Sequence, residues 1–311
     1  MAGVLSKRNG KGDKVIGRRG FLASALAASQ APPAQTQFQL ACMTLPYSAF
    51  PLARALSGIK SAGYKYVAWG VSHRDESGAM RPLLAVDAPD RDAASLASRC
   101  RDLGLTPVMM FSTVHLEAPN ALDAHLRRIG QAAAARIPFL LTFGKTAPGE
   151  QEAFIKNLKA MAPHAQAAGV MLVVKQHGGN SGTGQACARI LKAVGESSVR
   201  MCYDAGNVLD YEGQDPIPDI LACWRDVRAF AIKDHRNFPR SEDCGPGFGE
   251  IDHYKLLRPV MRTGLTIPLA CENIFEPLAP RPAIPEGVDA LARRAREYVE
   301  TVLRGLQIIG A

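Results

Sequence analysis

The chain has 311 residues, 47% of them hydrophobic, with 37 Lys and Arg against 29 Asp and Glu and a formal net charge of +8. That length and apolar fraction allow a large buried core, and no apolar run is long enough to span a bilayer, which excludes stable membrane insertion. The excess charge does not mark a nucleic-acid partner. It is concentrated at the N-terminus, where Lys7, Arg8, Lys11, Lys14, Arg18 and Arg19 face Asp13 alone before Pro32, leaving a body that is only mildly basic.

The N-terminal stretch reads "VIGRRGFLASALAASQA": a basic region, paired arginines, a short apolar run of small residues, then Ser29-Gln30-Ala31. This order resembles a twin-arginine export signal. Residues 1–36 are therefore expected to be a signal with a disordered N-terminal segment, the mature chain starting near Pro32 and residing in the periplasm or outside the cell. Seven cysteines without a CxxC pair indicate neither a zinc ribbon nor a disulfide framework. Cys42, Cys202 and Cys271 fall within predicted strands and read as small core residues. Export of an already folded protein fits thiols enclosed before the chain meets an oxidising compartment.

From Phe38 onward, short apolar strands alternate with helical patterns, the order of repeated βα units around a parallel sheet. Eight strands are predicted: "FQLACMT" from Phe38, "YKYVAWG" from Tyr64, "TPVMMFS" from Thr106, "IPFLLTFG" from Ile137, "VMLVVKQ" from Val170, "VRMCYDA" from Val199, "RAFAIKD" from Arg228 and "TIPLACEN" from Thr266. Helical spacing is expected over Leu52–Ala62, Asp92–Leu103, Ala121–Ala135, Glu150–Ala168, Gln185–Val194 and Val288–Leu306, with Leu291, Ala295, Tyr298 and Val302 of the last turned inward. Gly63 and Gly104 stand where helices should stop. Eight such units with no linker between them match a single-domain α/β fold, the (β/α)8 TIM barrel, over residues 37–311. A doubly wound open sheet shows the same alternation, but "LACMTLPYSAF" after the first strand has no glycine fingerprint.

In a barrel, active sites lie at the carboxyl ends of the strands. Strand five ends in Lys175 and His177, strand six in Asp204 followed by Asn207, strand seven in Lys233, Asp234 and His235, and strand eight in Glu272. Alternation puts Lys175 and His177 on one face and Ala231, Lys233 and His235 on one face. If the face continuing Val173 is interior, both lysines look toward Asp204 and Glu272. A salt bridge closing the mouth accounts for any one of these residues; four ionisable groups converging from four strands point to a site.

The segments "MCYDAGNVLDYEGQDP", "VRAFAIKDH" and "GPGFGEIDHYKLLRPVMRTGLTIPLACENIF" resemble the second half of the xylose isomerase-like TIM barrels, the sugar phosphate isomerase/epimerase family. That resemblance covers essentially Phe38 to Leu306. It implies a divalent metal at the mouth, held by a strand-five glutamate, a strand-six aspartate, a strand-seven histidine and a strand-eight glutamate. Asp204 and Glu272 match two of the four, whereas Lys175 and Ala231 stand at the other two. An ammonium has no lone pair to donate and its charge opposes a cation, so the family metal site is expected to be absent and no cofactor is assigned.

The reading that follows makes Lys175 the replacement for part of that cation, polarising a sugar carbonyl and stabilising an enediolate, with Glu272 as the base or its partner. Burial and Lys233 are expected to pull the Lys175 pKa down toward the working pH. The alternative is a displaced site for Mn, Mg or Zn on Asp204, Glu272, His177 and His235. Further candidates for substrate binding are Trp69, His115, Asn207, His235 and Glu250, the last in "CGPGFGEID", which resembles a glycine-glutamate loop of the family. "HGGNSGTGQ", entering a helix at Gln185, offers an N-terminus for a phosphate or sugar hydroxyl. The leading expectation is an exported carbohydrate isomerase, epimerase or lyase acting on an oxidised sugar such as a keto-glycoside. A non-catalytic sugar-binding barrel is the reading from another class. The resemblance also reaches endonuclease IV, whose multi-zinc, histidine-rich site these seven scattered histidines do not supply.

Overall fold

The computed structural model describes residues 34–309, with side chains to residue 307; the export-signal expectation lies outside the described residues. All eight expected strands form: β1 (Gln37–Met43), β2 (Tyr66–Trp69), β3 (Thr106–Phe111), β4 (Phe139–Thr142), β5 (Met171–Lys175), β6 (Val199–Tyr203), β7 (Val227–Ile232) and β8 (Thr266–Cys271). They pair in parallel in chain order, and β8 returns to β1 with Leu269 opposite Leu40, which closes the barrel. Two small antiparallel hairpins, Ser72–Arg74 with Met80–Pro82 and Asp234–Arg236 with Glu242–Cys244, are added outside the barrel sheet.

Alternation divides the apolar residues of each strand between two layers. Val173, Cys202, Ala229, Ala231 and Ala270 face the barrel interior with Met43, Met109 and Phe139. Leu172, Val174, Met201, Tyr203, Phe230 and Leu269 face the surrounding helices. The helices are those the spacing predicts, at Leu52–Ser61, Asp90–Asp102, Ala121–Ala134, Gln151–Ala167, Gly184–Val194 and Pro285–Ile309. Gly63 and Gly104 follow the first two at φ of 93° and 73°, in the left-handed region where a Cβ is unfavourable. Ala295 and Val302 of the last helix are buried, and Leu291 and Tyr298 pack partly buried beside them.

Three shorter helices were not predicted: Ala205–Glu212, Pro216–Cys223 and His253–Leu257. All seven cysteines are free and buried. Thr36 N–H donates to the Met261 carbonyl and Gly264 N–H to the Ala34 carbonyl, so contacts with the barrel begin before Gln37. Among the described residues no helix is long and apolar enough to cross a membrane.

Candidate active site at the barrel mouth

Because Val173, Cys202, Ala231 and Ala270 are interior, the residues two positions further along β5, β6, β7 and β8 are interior as well: Lys175, Asp204, Lys233 and Glu272. Their side chains meet at the carboxyl end of the barrel. Lys175 Nζ lies 2.8 Å from both Glu272 oxygens and 3.0 Å from Asp204 Oδ2. The lysine is 2% exposed, with its ammonium 5.6 Å from the centre of the Phe111 ring. Glu272 is the member that reaches outward, its side chain 12% exposed.

Asp204 also ends the strand and starts the next helix. Its Oδ1 accepts from Asn207 N–H at 3.0 Å, capping Ala205–Glu212, while its own N–H donates to Gln176 Oε1 at 2.8 Å. Asn207 is held in turn by Nδ2 donating to the Gln176 carbonyl at 2.6 Å and by Oδ1 accepting from Lys233 Nζ. Lys233 further donates to Asp243 and stands 4.0 Å from Asp204 Oδ2. It therefore turns toward Asn207 and Asp243 rather than bridging Asp204 and Glu272 as Lys175 does. Gly206 makes room for it, since a Cβ there would stand 2.5 Å from Lys233 Cε.

The charges decide the protonation states. Burial works against the Lys175 ammonium, but the Glu272 and Asp204 carboxylates outweigh it and hold its pKa above the ordinary lysine range. This corrects the expectation that burial and Lys233 would bring it down: two acids within 3.0 Å act more strongly than one lysine further off. Lys233 is raised as well, burial being offset by Asp204 and Glu272. Burial would raise the pKa of Asp204, yet Lys233, Lys175 and the Asn207 N–H keep it below the usual aspartate value.

The remaining candidates sit further out. His177 Nδ1 turns to the Gly144 carbonyl at 3.0 Å, and its ring packs 4.5 Å from Phe143 and 5.5 Å from Tyr211. Burial lowers its pKa, and the Lys175 charge adds to that effect. His115 lies 5.3 Å from Phe143 and 6.1 Å from His177, completing an aromatic rim on one side of the mouth. His235 is buried with Nδ1 3.0 Å from Asp243 Oδ1 and Nε2 3.2 Å from Ser241 Oγ.

Four expectations need correction. Trp69 faces the helical layer with Val67, leaving Ala68 as the interior residue of that strand end, so it stands beside the barrel mouth rather than in it. Glu250 is exposed and accepts from Asn237 N and Nδ2, which ties down a loop. The helix N-terminus after "HGGNSGTGQ" already holds an anion, since Asp219 accepts from Gly184 N at 2.7 Å and from Gln185 N at 3.1 Å. Asp204, Glu272, His177 and His235 do not form a metal cluster, because Lys175 fills the space between the acids and the two histidines turn to other partners.

Nor do the residues that the resemblance puts at a metal position fit a cation. Lys175, Asp204, Ala231 and Glu272 offer two carboxylates, both already ion-paired to an ammonium. The group of potential metal ligands found among the described residues is a different one, Asp210, His235 and Asp243, whose donor atoms lie within 4.8 Å of one another. Asp210, Asp243, Gln176, Phe111 and Tyr211 were not predicted as site residues. Gln176 lies between Lys175 and His177 at the end of β5, and Asp210 in the helix that Asp204 caps, whereas Asp243 lies in a hairpin without periodicity.

The chain matches the family described as "Xylose isomerase-like TIM barrel" over residues 56–294. No curated protein matches it by sequence. Among solved structures it is similar to an L-ribulose 3-epimerase, at 17% identity and a TM-score of 0.65 over 89% of this chain and 97% of that one. A xylose isomerase-like TIM barrel protein from Mycobacterium smegmatis in complex with magnesium is 16% identical, with a TM-score of 0.65 over 89% and 98% of the two chains. A D-allulose 3-epimerase from Methylomonas sp. in complex with D-allulose is 16% identical, with a TM-score of 0.62 over 87% and 99%. At these identities the likeness is one of fold.

Proposed function

The chain belongs to the xylose isomerase-like TIM barrel family, and on that premise we propose that it is a sugar isomerase, epimerase or lyase that moves a proton beside a carbonyl, with the Lys175 ammonium in place of the family cation. The observation that carries this reading is the position of Lys175 Nζ, buried at the mouth 2.8 Å from both oxygens of Glu272 and 3.0 Å from Asp204. The sugar epimerases among the similar structures support the reaction class.

Because its pKa is raised, Lys175 acts as a fixed positive charge rather than as the base. Substrate enters over Glu272, and its carbonyl oxygen takes the hydrogen bond that Lys175 otherwise gives to one Glu272 oxygen, which frees that oxygen as the base. The Glu272 carboxylate removes the proton from the carbon beside the carbonyl. The C–H electron pair becomes the carbon–carbon double bond of an enediolate, whose oxygen charge rests against the ammonium, and the proton is held on Glu272. Return to the neighbouring carbon isomerises the sugar; epimerisation instead takes a proton from a second donor, water or an acid on the opposite face, while Glu272 keeps the first; loss of a β-substituent with the electron pair makes the step an elimination. Asp204 keeps Lys175 charged and aimed, and Lys233 adds positive charge behind it.

The test is incubation with aldoses, ketoses and 3-keto-glycosides in deuterated water. Deuterium entering at a carbon beside a carbonyl is the expected result, and its absence across the panel would leave only sugar binding. Export through the N-terminal signal belongs to the same proposal and makes an oxidised sugar a better substrate class than a sugar phosphate. Sequencing the N-terminus of protein recovered from the periplasm checks it, with a start near Pro32 expected and an intact signal on cytoplasmic protein the contrary result.

One observation favours a second reading, a metal-dependent isomerase with displaced ligands: Asp210, His235 and Asp243 converge at the rim. The Lys233 ammonium on Asp243 opposes a cation there. Metal analysis of purified protein distinguishes the two.

A further inference from the structure

A cavity of about 270 Å³ lies beside the barrel mouth, between the ends of β2 and β3, the 82–86 loop and the helix Ala121–Ala134. Trp69, Val71 and Leu84 give it apolar walls, Phe111 and Thr113 border it, and Arg128 supplies its cation. Phe111 is the same residue whose ring lies 5.6 Å from the Lys175 ammonium, so the cavity and the proposed reaction centre share a wall.

Arg128 is what the cavity leaves unexplained as packing. It is 7% exposed, and the buried cations among the described residues are Arg128, Lys175 and Lys233. Both lysines are ion-paired to carboxylates. Arg128 forms no ion pair among the described residues. Of its five N–H groups, one donates to Gln131 Oε1 at 2.8 Å and one to the Leu84 carbonyl at 3.0 Å, while Nε is buried without an acceptor.

A buried charge without a counterion is costly, and burial accordingly pulls the Arg128 pKa down. Holding the 84–88 loop does not require that charge. The neutral amide of Gln131 already donates to the Ala85, Val86 and Ala88 carbonyls.

We propose that this side cavity is a subsite for the carboxylate of a sugar acid, held by Arg128, so that the substrate of the neighbouring centre carries an acidic group. The inference rests on the proton-transfer reading for what happens to the bound sugar, but not for the binding itself. A single guanidinium among apolar walls suits a monoanion better than a phosphate, whose second charge and third oxygen call for further donors.

The chain carries its own reporter. It has two tryptophans, Trp69 in the cavity wall and Trp224. In the Trp224→Phe background, emission of Trp69 is followed while glucuronate, glucose, glucose 6-phosphate or inorganic phosphate is added at constant ionic strength. A saturable response to glucuronate, absent with glucose and weaker with both phosphates, is expected, and Arg128→Gln should weaken it at least tenfold.

Should Arg128→Gln loosen the loop, Val71→Phe fills the cavity with the arginine left in the chain and should abolish the response. Equal responses to glucuronate and glucose, no response at all, or survival of the response in both variants would overturn the subsite. A phosphate response equal to that of glucuronate would overturn the carboxylate assignment. Deuterium exchange with neutral keto-sugars, retained in a protein that ignores glucuronate, would sink this inference and leave the reaction class standing. Glucuronate binding without exchange on any sugar would do the reverse.

Discussion

Lys175 Nζ lies 2.8 Å from each of the two oxygens of Glu272. The cation is thus shared with the group proposed to move the proton, and Asp204 at 3.0 Å holds it from the other side. Lys175→Met should lower turnover by about a hundredfold to a thousandfold, the order seen when a donor to a developing oxyanion is lost. It also leaves Glu272 without its close counterion and Asp204 with only Lys233, at 4.0 Å, at a cost of about 3–5 kcal/mol. The pair Lys175→Met with Asp204→Asn should regain part of that stability and none of the turnover. Denaturant midpoints with single-turnover rates check both.

The pH dependence of stability follows from the same groups. Lys175 titrates above its ordinary value of 10.5, so its contribution is complete below that value and is lost only as pH rises through the raised folded value. Asp204 titrates below its ordinary 3.8, so its contribution is present above that value and is lost as pH falls through the lowered folded value. Neither acts near neutrality.

The acid limb in between comes from buried histidines, His125 foremost. Burial, with Arg128 adding repulsion, brings its pKa from 6.5 down to about 4 in spite of the Ala121 carbonyl. Its Nδ1 donates to that carbonyl at 2.7 Å, and its Nε2 accepts from the Thr142 hydroxyl at 2.9 Å. The unfolded chain takes up this proton first, so stability should fall between pH 6.5 and about 4, by as much as about 3 kcal/mol. Urea titrations across that range should be flatter for His125→Gln.

Asp219 offers a prediction away from the chemistry. It accepts from Gly184 N and Gln185 N and from the Tyr203 hydroxyl at 2.8 Å. Asp219→Asn turns an acceptor into a donor beneath these groups and should cost about 1–3 kcal/mol. Deuterium exchange per folded molecule should be unchanged, which calorimetry beside the exchange assay would show.

The barrel was legible because strand and helix periods alternate without interruption from Phe38 to Leu306, and apolar burial enforces that pattern throughout. The convergence of Lys175, Asp204, Lys233 and Glu272 was legible from alternation counted back to interior residues such as Val173 and Ala231. End position alone was a poorer guide. Trp69 ends β2, yet the sequence Val67-Ala68-Trp69 puts Ala68 inside and Trp69 against the helices.

Short-range hydrogen bonding hid the rest. Asp204 caps a helix of eight residues, too brief for a periodic signal, and Asp243 reaches Lys233 from a three-residue strand. The Lys175 pKa was misjudged because burial can be read from a sequence, whereas the close approach of two carboxylates cannot.

The most direct test of the central claim is the rate of deuterium incorporation beside a carbonyl, measured before and after exhaustive chelation in the wild type, Lys175→Met and Glu272→Gln. Exchange that survives chelation in the wild type and is lost in both variants is the predicted result. Exchange abolished by chelation and restored by Mn, Mg or Zn, or full exchange in Lys175→Met, would contradict it.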